Sequence, residues 1–76
     1  MTTADLRDLL VRDLVRADGG SAARWRRAVG ELKVYARATH AHCNWEVRPA
    51  GTAYLIERVE RAADAIRAAY PFVDER

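Results

Sequence analysis

The sequence contains a single cysteine and no apolar run that approaches the length of a membrane span. One cysteine, Cys43, excludes an intrachain disulfide, and an unpaired thiol is typical of a reducing compartment. A membrane-spanning helix needs about 20 consecutive apolar residues, and the first residues carry an acid rather than the basic segment of a signal peptide. We therefore expect a cytoplasmic protein that does not act at a membrane.

The chain also lacks internal repeats and low-complexity tracts, and only one of its 13 basic residues is a lysine. Together with 15 alanines, this usage is typical of proteins from GC-rich bacterial genomes. Half of the 76 residues are apolar, which argues against intrinsic disorder. A chain this short buries only about 60% of its surface on folding, so a metal or a second protein surface would help to stabilise its core.

Two stretches show the apolar period of an amphipathic helix and end at clear stop signals. The first helix is predicted at about 3–18 and is followed by two glycines, which adopt left-handed conformations readily. The third is predicted at about 52–70 and ends before Pro71, since a residue that precedes proline is disfavoured in a helix. Beyond it, the tail at 74–76 is expected to be loose.

A second helix is predicted at about 21–39 from apolar spacings of 4, 3, 4 and 3 residues. The residues that carry this period are Trp25, Val29, Leu32, Ala36 and Thr39. Gly30 lies inside this stretch and costs roughly 1 kcal/mol relative to alanine. Residues 32–35 alternate between apolar and polar, as a strand would, but the longer period continues on both sides and favours a helix.

The connection at 40–51 shows an alternation of apolar and polar residues and no helical period. Cys43, Trp45 and Val47 are separated by polar residues, which predicts a short extended stretch. The predicted fold is therefore all-α: one domain over 1–76, built as a small three-helix bundle with a short extended connection before the third helix.

The positive charge is concentrated between residues 19 and 43, which carry five basic side chains and one acidic one. The basic residues are Arg24, Arg26, Arg27, Lys33 and Arg37. On a continuous helix Arg26, Lys33 and Arg37 form a narrow strip beside Gly30, where a phosphate backbone or an acidic protein could approach closely. The alternative interpretation is a solvated face of an arginine-rich protein.

The first two helices also suggest a helix-turn-helix. Val15, Gly19, Trp25 and Ala28 roughly match its apolar–glycine–apolar spacing, and the second helix would then bring arginines to the major groove. The pattern is unspecific, because any two helices joined by a short turn produce it.

The segment His40-Ala41-His42-Cys43 contains all of the histidines and the only cysteine. His40, His42 and Cys43 are candidate zinc ligands, but a structural site needs four, so a carboxylate or a second subunit would have to contribute. The alternative is a polar connection in which Cys43 is a small buried apolar residue. A nucleophile–base pair of Cys43 with either histidine would need a shaped pocket, so we expect no enzyme, no cofactor and no small-molecule substrate.

The first helix has a wider apolar arc than one core contact requires. Leu9, Val11 and Val15 extend beyond its main stripe, and Trp45 in the connection would be a natural binding anchor if exposed. These residues indicate contact with another protein or with a second copy of the chain. The predicted function is a small non-enzymatic interaction module, an adaptor or stoichiometric inhibitor of a larger bacterial or phage-related assembly. Alternatives are a nucleic-acid-binding protein and a metal-stapled domain.

Overall fold

The computed structural model describes residues 1–75 as three helices and one two-stranded antiparallel sheet. The elements in chain order are α1 (Thr3–Asp18), α2 (Ala22–Val29), β1 (Glu31–Val34), β2 (Trp45–Arg48) and α3 (Ala53–Ala69). The predicted all-α three-helix bundle is therefore wrong, and the fold is a small α+β arrangement. None of the helices within residues 1–75 is long and apolar enough to cross a membrane.

Each helix begins after a hydroxyl side chain that accepts a hydrogen bond from the first turn, as an N-cap does. The three N-caps are Thr2, Ser21 and Thr52, which accept from the backbone N–H groups of Asp5, Arg24 and Leu55. At α1 the Asp5 carboxylate also accepts from the backbone N–H of Thr2, which completes a capping box. This hydrogen bond lowers the pKa of Asp5.

The helix predicted at 21–39 ends at Val29 because Gly30 leaves helical space. Gly30 has a φ of +69°, a conformation that side chains rarely tolerate. It also lies so close to Arg48 that a Cβ atom would overlap the carbonyl oxygen of that residue. The chain therefore turns into β1, and the alternation at 32–35 belongs to a strand.

The two strands form a sheet with one apolar and one charged face. The paired residues are Glu31 with Arg48, Leu32 with Val47, Lys33 with Glu46 and Val34 with Trp45. Because side chains alternate across a strand, the apolar pairs share the face toward the core and the charged pairs share the other. Both charged pairs join opposite signs, which is the favourable arrangement for directly facing residues.

The core is centred on α1, which packs against α2 on one side and α3 on the other. It consists of Leu6, Leu10, Val11, Leu14, Trp25, Ala28, Val29, Leu32, Trp45, Leu55, Val59, Ala63, Ile66 and Val73. The indole N–H of Trp25 donates to the carbonyl of Gly19 at 2.7 Å, at the end of α1. Arg58 of α3 binds Asp18 of α1 through its Nε, at 3.0 Å from Oδ2. This hydrogen bond raises the pKa of Arg58. The wide apolar arc of α1 is thus largely covered within one chain.

The segment after α3 is held by Asn44, whose side chain is fully buried. Its amide donates to the carbonyls of Tyr35 at 3.1 Å and Val73 at 2.9 Å, and its oxygen accepts from the Val73 N–H at 2.8 Å. In the tail predicted to be loose, the N–H of Asp74 donates to the carbonyl of Met1 at 2.8 Å. The last residue of that tail lies outside the described part of the chain.

Candidate functional site

A shallow, open recess of about 420 Å³ lies between α1 and α2. Val11 is buried and Val15 half-buried at this place, and Ala22 contributes from the first turn of α2. The lining is mostly apolar, and the charged residues around it are Asp8, Arg12, Arg16 and Arg26. The recess therefore offers apolar contact surrounded by three positive charges and one negative charge.

An ion pair between Asp8 and Arg26 connects the two helices at this recess. The Arg26 Nη2 lies 3.1 Å from the Asp8 Oδ1, and the Arg26 and Asp8 side chains are 50% and 66% exposed. Exposed ion pairs of this kind contribute only about 0–1 kcal/mol, because water and salt screen them. The pair can therefore open at little cost to the fold.

The four residues predicted to form a protein interface do not line one depression. Val11 and Val15 line the recess, whereas Leu9 lies in a different depression with Met1 and Tyr70. Trp45 is buried in the core, and its indole N–H donates to the carbonyl of Tyr70 at 2.9 Å. Trp45 is therefore not an exposed anchor, and the two valines are the members of the set that line the recess.

The basic strip predicted on a continuous second helix is dispersed by the strand. Arg26 remains on α2 beside the recess, while Lys33 lies on β1 opposite Glu46. Arg37 follows β1, and its guanidinium lies 4.1 Å from the centre of the Phe72 ring. These three cations therefore do not line up on one helix face beside Gly30.

Arg24 and Arg27 remain on the exposed face of α2. No carboxylate of residues 1–75 lies within 4 Å of either guanidinium, and α2 itself contains no acidic residue. The two arginines border a depression of about 310 Å³ with Ala50, Gly51 and Leu55. The short turn from α1 to α2 matches the order of a helix-turn-helix, with these arginines on its second helix.

Two of the three candidate metal ligands, His40 and Cys43, have other partners. The His40 ring stacks on Tyr35 with centroids 4.2 Å apart, the Arg67 Nε donates to the Cys43 Sγ at 3.2 Å, and His42 is exposed. Within the part of the chain that the structure describes, no three histidine, cysteine or acidic side chains lie close enough to hold a metal ion.

Ala22 was not singled out from the sequence, and Arg26 was assigned only to the basic strip. The two residues are spaced one helical turn apart on α2 and face the similarly spaced Val11 and Val15 on α1. That matching spacing was visible in the sequence, but the pairing of the two helices was not. Asn44 carried no comparable signal, because an asparagine in a connection is usually exposed.

Comparison of the chain with models of protein families, with curated proteins and with solved structures gave no match. Function therefore rests on the chemistry of the residues themselves. The recess combines aliphatic side chains with guanidinium groups, which suit apolar contact and ion pairing with carboxylates.

Proposed function

We propose that this chain is a small, non-enzymatic interaction module that binds an acidic amphipathic helix of another protein between α1 and α2. The supporting observation is the apolar recess at Val11 and Val15 with three arginines and one aspartate around it. An amphipathic helix lays apolar residues spaced by three or four positions into such a groove, and acidic residues beside them would meet Arg12 and Arg16. In this role the chain is an adaptor or stoichiometric inhibitor of a larger bacterial or phage-related assembly.

The apolar lining favours a protein over a nucleic acid at this recess. Nucleic-acid contacts are made mainly to phosphates, sugars and base edges, which leave aliphatic groups such as Val15 uncovered. The positive surroundings also disfavour a symmetric dimer. In a two-fold interface the same patch meets itself, so two patches that each carry three arginines and one aspartate would face each other and their net positive charges would repel.

The test uses a fluorescein-labelled designed peptide with leucines at i, i+3, i+4 and i+7 and glutamates on the flanking positions. A control peptide keeps the leucines and replaces each glutamate by lysine. Fluorescence anisotropy with the full chain should give binding of the acidic peptide at least tenfold tighter than the basic one. Equal affinity for the two peptides would overturn the proposal.

Variants locate the binding. Val15→Asp should weaken the acidic peptide at least tenfold, whereas Ala4→Asp, which adds the same charge at an exposed position of α1, should leave it within twofold. The pair Arg12→Glu and Arg16→Glu provides a second test on charged residues of the recess if Val15→Asp fails to fold. Light scattering then measures the oligomeric state of the chain. A dimer that Val15→Asp dissociates would assign the recess to self-association and contradict the proposal.

The exposed face of α2 favours nucleic-acid binding as a second candidate function. Its exposed positions contain arginine and alanine and no acid, and Arg24 and Arg27 have no carboxylate partner among residues 1–75. Labelled 20-base-pair DNA should bind at 50 mM salt. Arg24→Ala with Arg27→Ala should reduce the salt slope by roughly one for each phosphate that the variant no longer binds. Absence of binding at 50 mM salt would exclude this candidate.

A further inference from the structure

One of the three arginines around the recess already holds a carboxylate of the chain's own. Arg26 binds Asp8 at 3.1 Å across the α1–α2 boundary, and both residues belong to the lining of the recess. The nearest carboxylate to Arg12 is Asp13, whose Oδ1 lies 3.9 Å from its Nε and which does not line the recess. Arg26 is therefore the guanidinium for which an incoming acid must compete.

We propose that Asp8 occupies Arg26 as an internal stand-in for a carboxylate of the partner, and that a partner carboxylate placed at Arg26 displaces it. This inference rests on the proposed function. It names Asp8 as a residue that sets both affinity and specificity. A partner without a carboxylate at this place leaves the Asp8–Arg26 pair closed, whereas a partner with one replaces Asp8.

The exposure of the pair makes the exchange feasible. Both side chains are at least half exposed, so the internal ion pair is screened by water. When a partner covers the recess, the new pair with Arg26 is shielded from solvent, and Coulomb attraction strengthens as the local dielectric constant falls. Asp8, once displaced, stays beside the partner's carboxylate and repels it. Its negative charge therefore opposes binding in two ways, by competing for Arg26 and by repelling the partner's carboxylate.

The test measures binding of the acidic peptide to the full chain by fluorescence anisotropy. Asp8→Asn should tighten binding about fivefold, the order expected when an exposed ion pair and a like charge are removed. Asp64→Asn makes the same charge change on α3, where Asp64 pairs with Arg67 at 2.8 Å away from the recess, and should stay within twofold of the wild type. In an Arg26→Gln background, Asp8→Asn should lose most of its gain.

The outcomes separate the two proposals. If the wild type binds and Asp8→Asn binds equally or more weakly, the stand-in role is refuted and the recess remains a binding site. If Asp8→Asn tightens binding equally in the Arg26→Gln background, the effect comes from net charge alone, and the stand-in role is again refuted. If neither the wild type nor Asp8→Asn binds the acidic peptide, the proposed function itself fails.

Discussion

Replacing Asn44 should destabilise the fold more than its position in a connection indicates. Asn44 is the fully buried polar side chain of residues 1–75, and it makes three hydrogen bonds with backbone groups. These bonds join the end of β1, through Tyr35, to the segment after α3, through Val73. Asn44→Ala removes all three and leaves a buried N–H and two carbonyls without that partner.

The magnitude follows from the hydrogen bonds. At a net contribution of about 1 kcal/mol each, three bonds amount to about 3 kcal/mol, before any further cost of unsatisfied groups. A domain of this length has a total free energy of unfolding of about 4–11 kcal/mol. The variant should therefore lose a large part of its stability, with a melting temperature about 12–24 °C lower.

Urea and thermal unfolding, followed by fluorescence of the buried tryptophans, measure this loss. Thr39→Ala is the control, because its hydroxyl makes only exposed contacts, with the carbonyl of Ala36 and with the Nδ1 of His40, each at 3.0 Å. Asn44→Asp retains the acceptor but sets an oxygen against two carbonyls. The pKa of this new carboxyl should therefore be raised in the folded state. The difference in free energy of unfolding between the wild type and Asn44→Asp should then shrink as pH falls from 7 to 4. A loss below about 1 kcal/mol for Asn44→Ala would refute the reasoning.

Two further predictions concern backbone turns and the start of α1. Gly30→Ala should be more destabilising than Gly19→Ala in urea unfolding. Both glycines have positive φ, but only at Gly30 would a Cβ overlap the Arg48 carbonyl. Equal losses of stability in the two variants would contradict this clash. Asp5→Asn should lower the free energy of unfolding at pH 7, because the Thr2 N–H lowers the pKa of Asp5. That contribution is complete above the ordinary carboxyl pKa and disappears as pH falls through the lowered value. An unchanged difference in strong acid would show that charge is not its source.

The fold could be predicted from the sequence where one period was uninterrupted. α1 and α3 have caps, apolar stripes and clear stops, and they begin and end close to the predicted positions. The predicted length of the second helix was wrong because the 4-3 spacing of its apolar residues continues by coincidence through Gly30 into β1. The contrary signal was the alternation at 32–35, which matches that of 43–47. Two neighbouring alternating segments can satisfy each other as a hairpin, whereas either alone is ambiguous.

The candidate site was predictable only in part, for a related reason. The surplus apolar arc of α1 was visible at Val11 and Val15. Whether such an arc is covered depends on where the next helix packs. α2 covers Val11 and leaves Val15 half-buried. Leu9 was grouped with the two valines because it is apolar. It lies on the opposite margin of the apolar arc of α1, however, and lines another depression.

The hydrogen bonds of the two tryptophans should make the ends of the two longest helices unfold together with the core. Trp25 donates to Gly19 after α1 and Trp45 donates to Tyr70 after α3, at the C-terminal positions where helices ordinarily fray. Fraying of either end would break an indole bond that begins in the core. Amide hydrogens in the last turns of both helices should therefore exchange with solvent on the timescale of global unfolding, and each indole N–H is a local reporter of its own helix end.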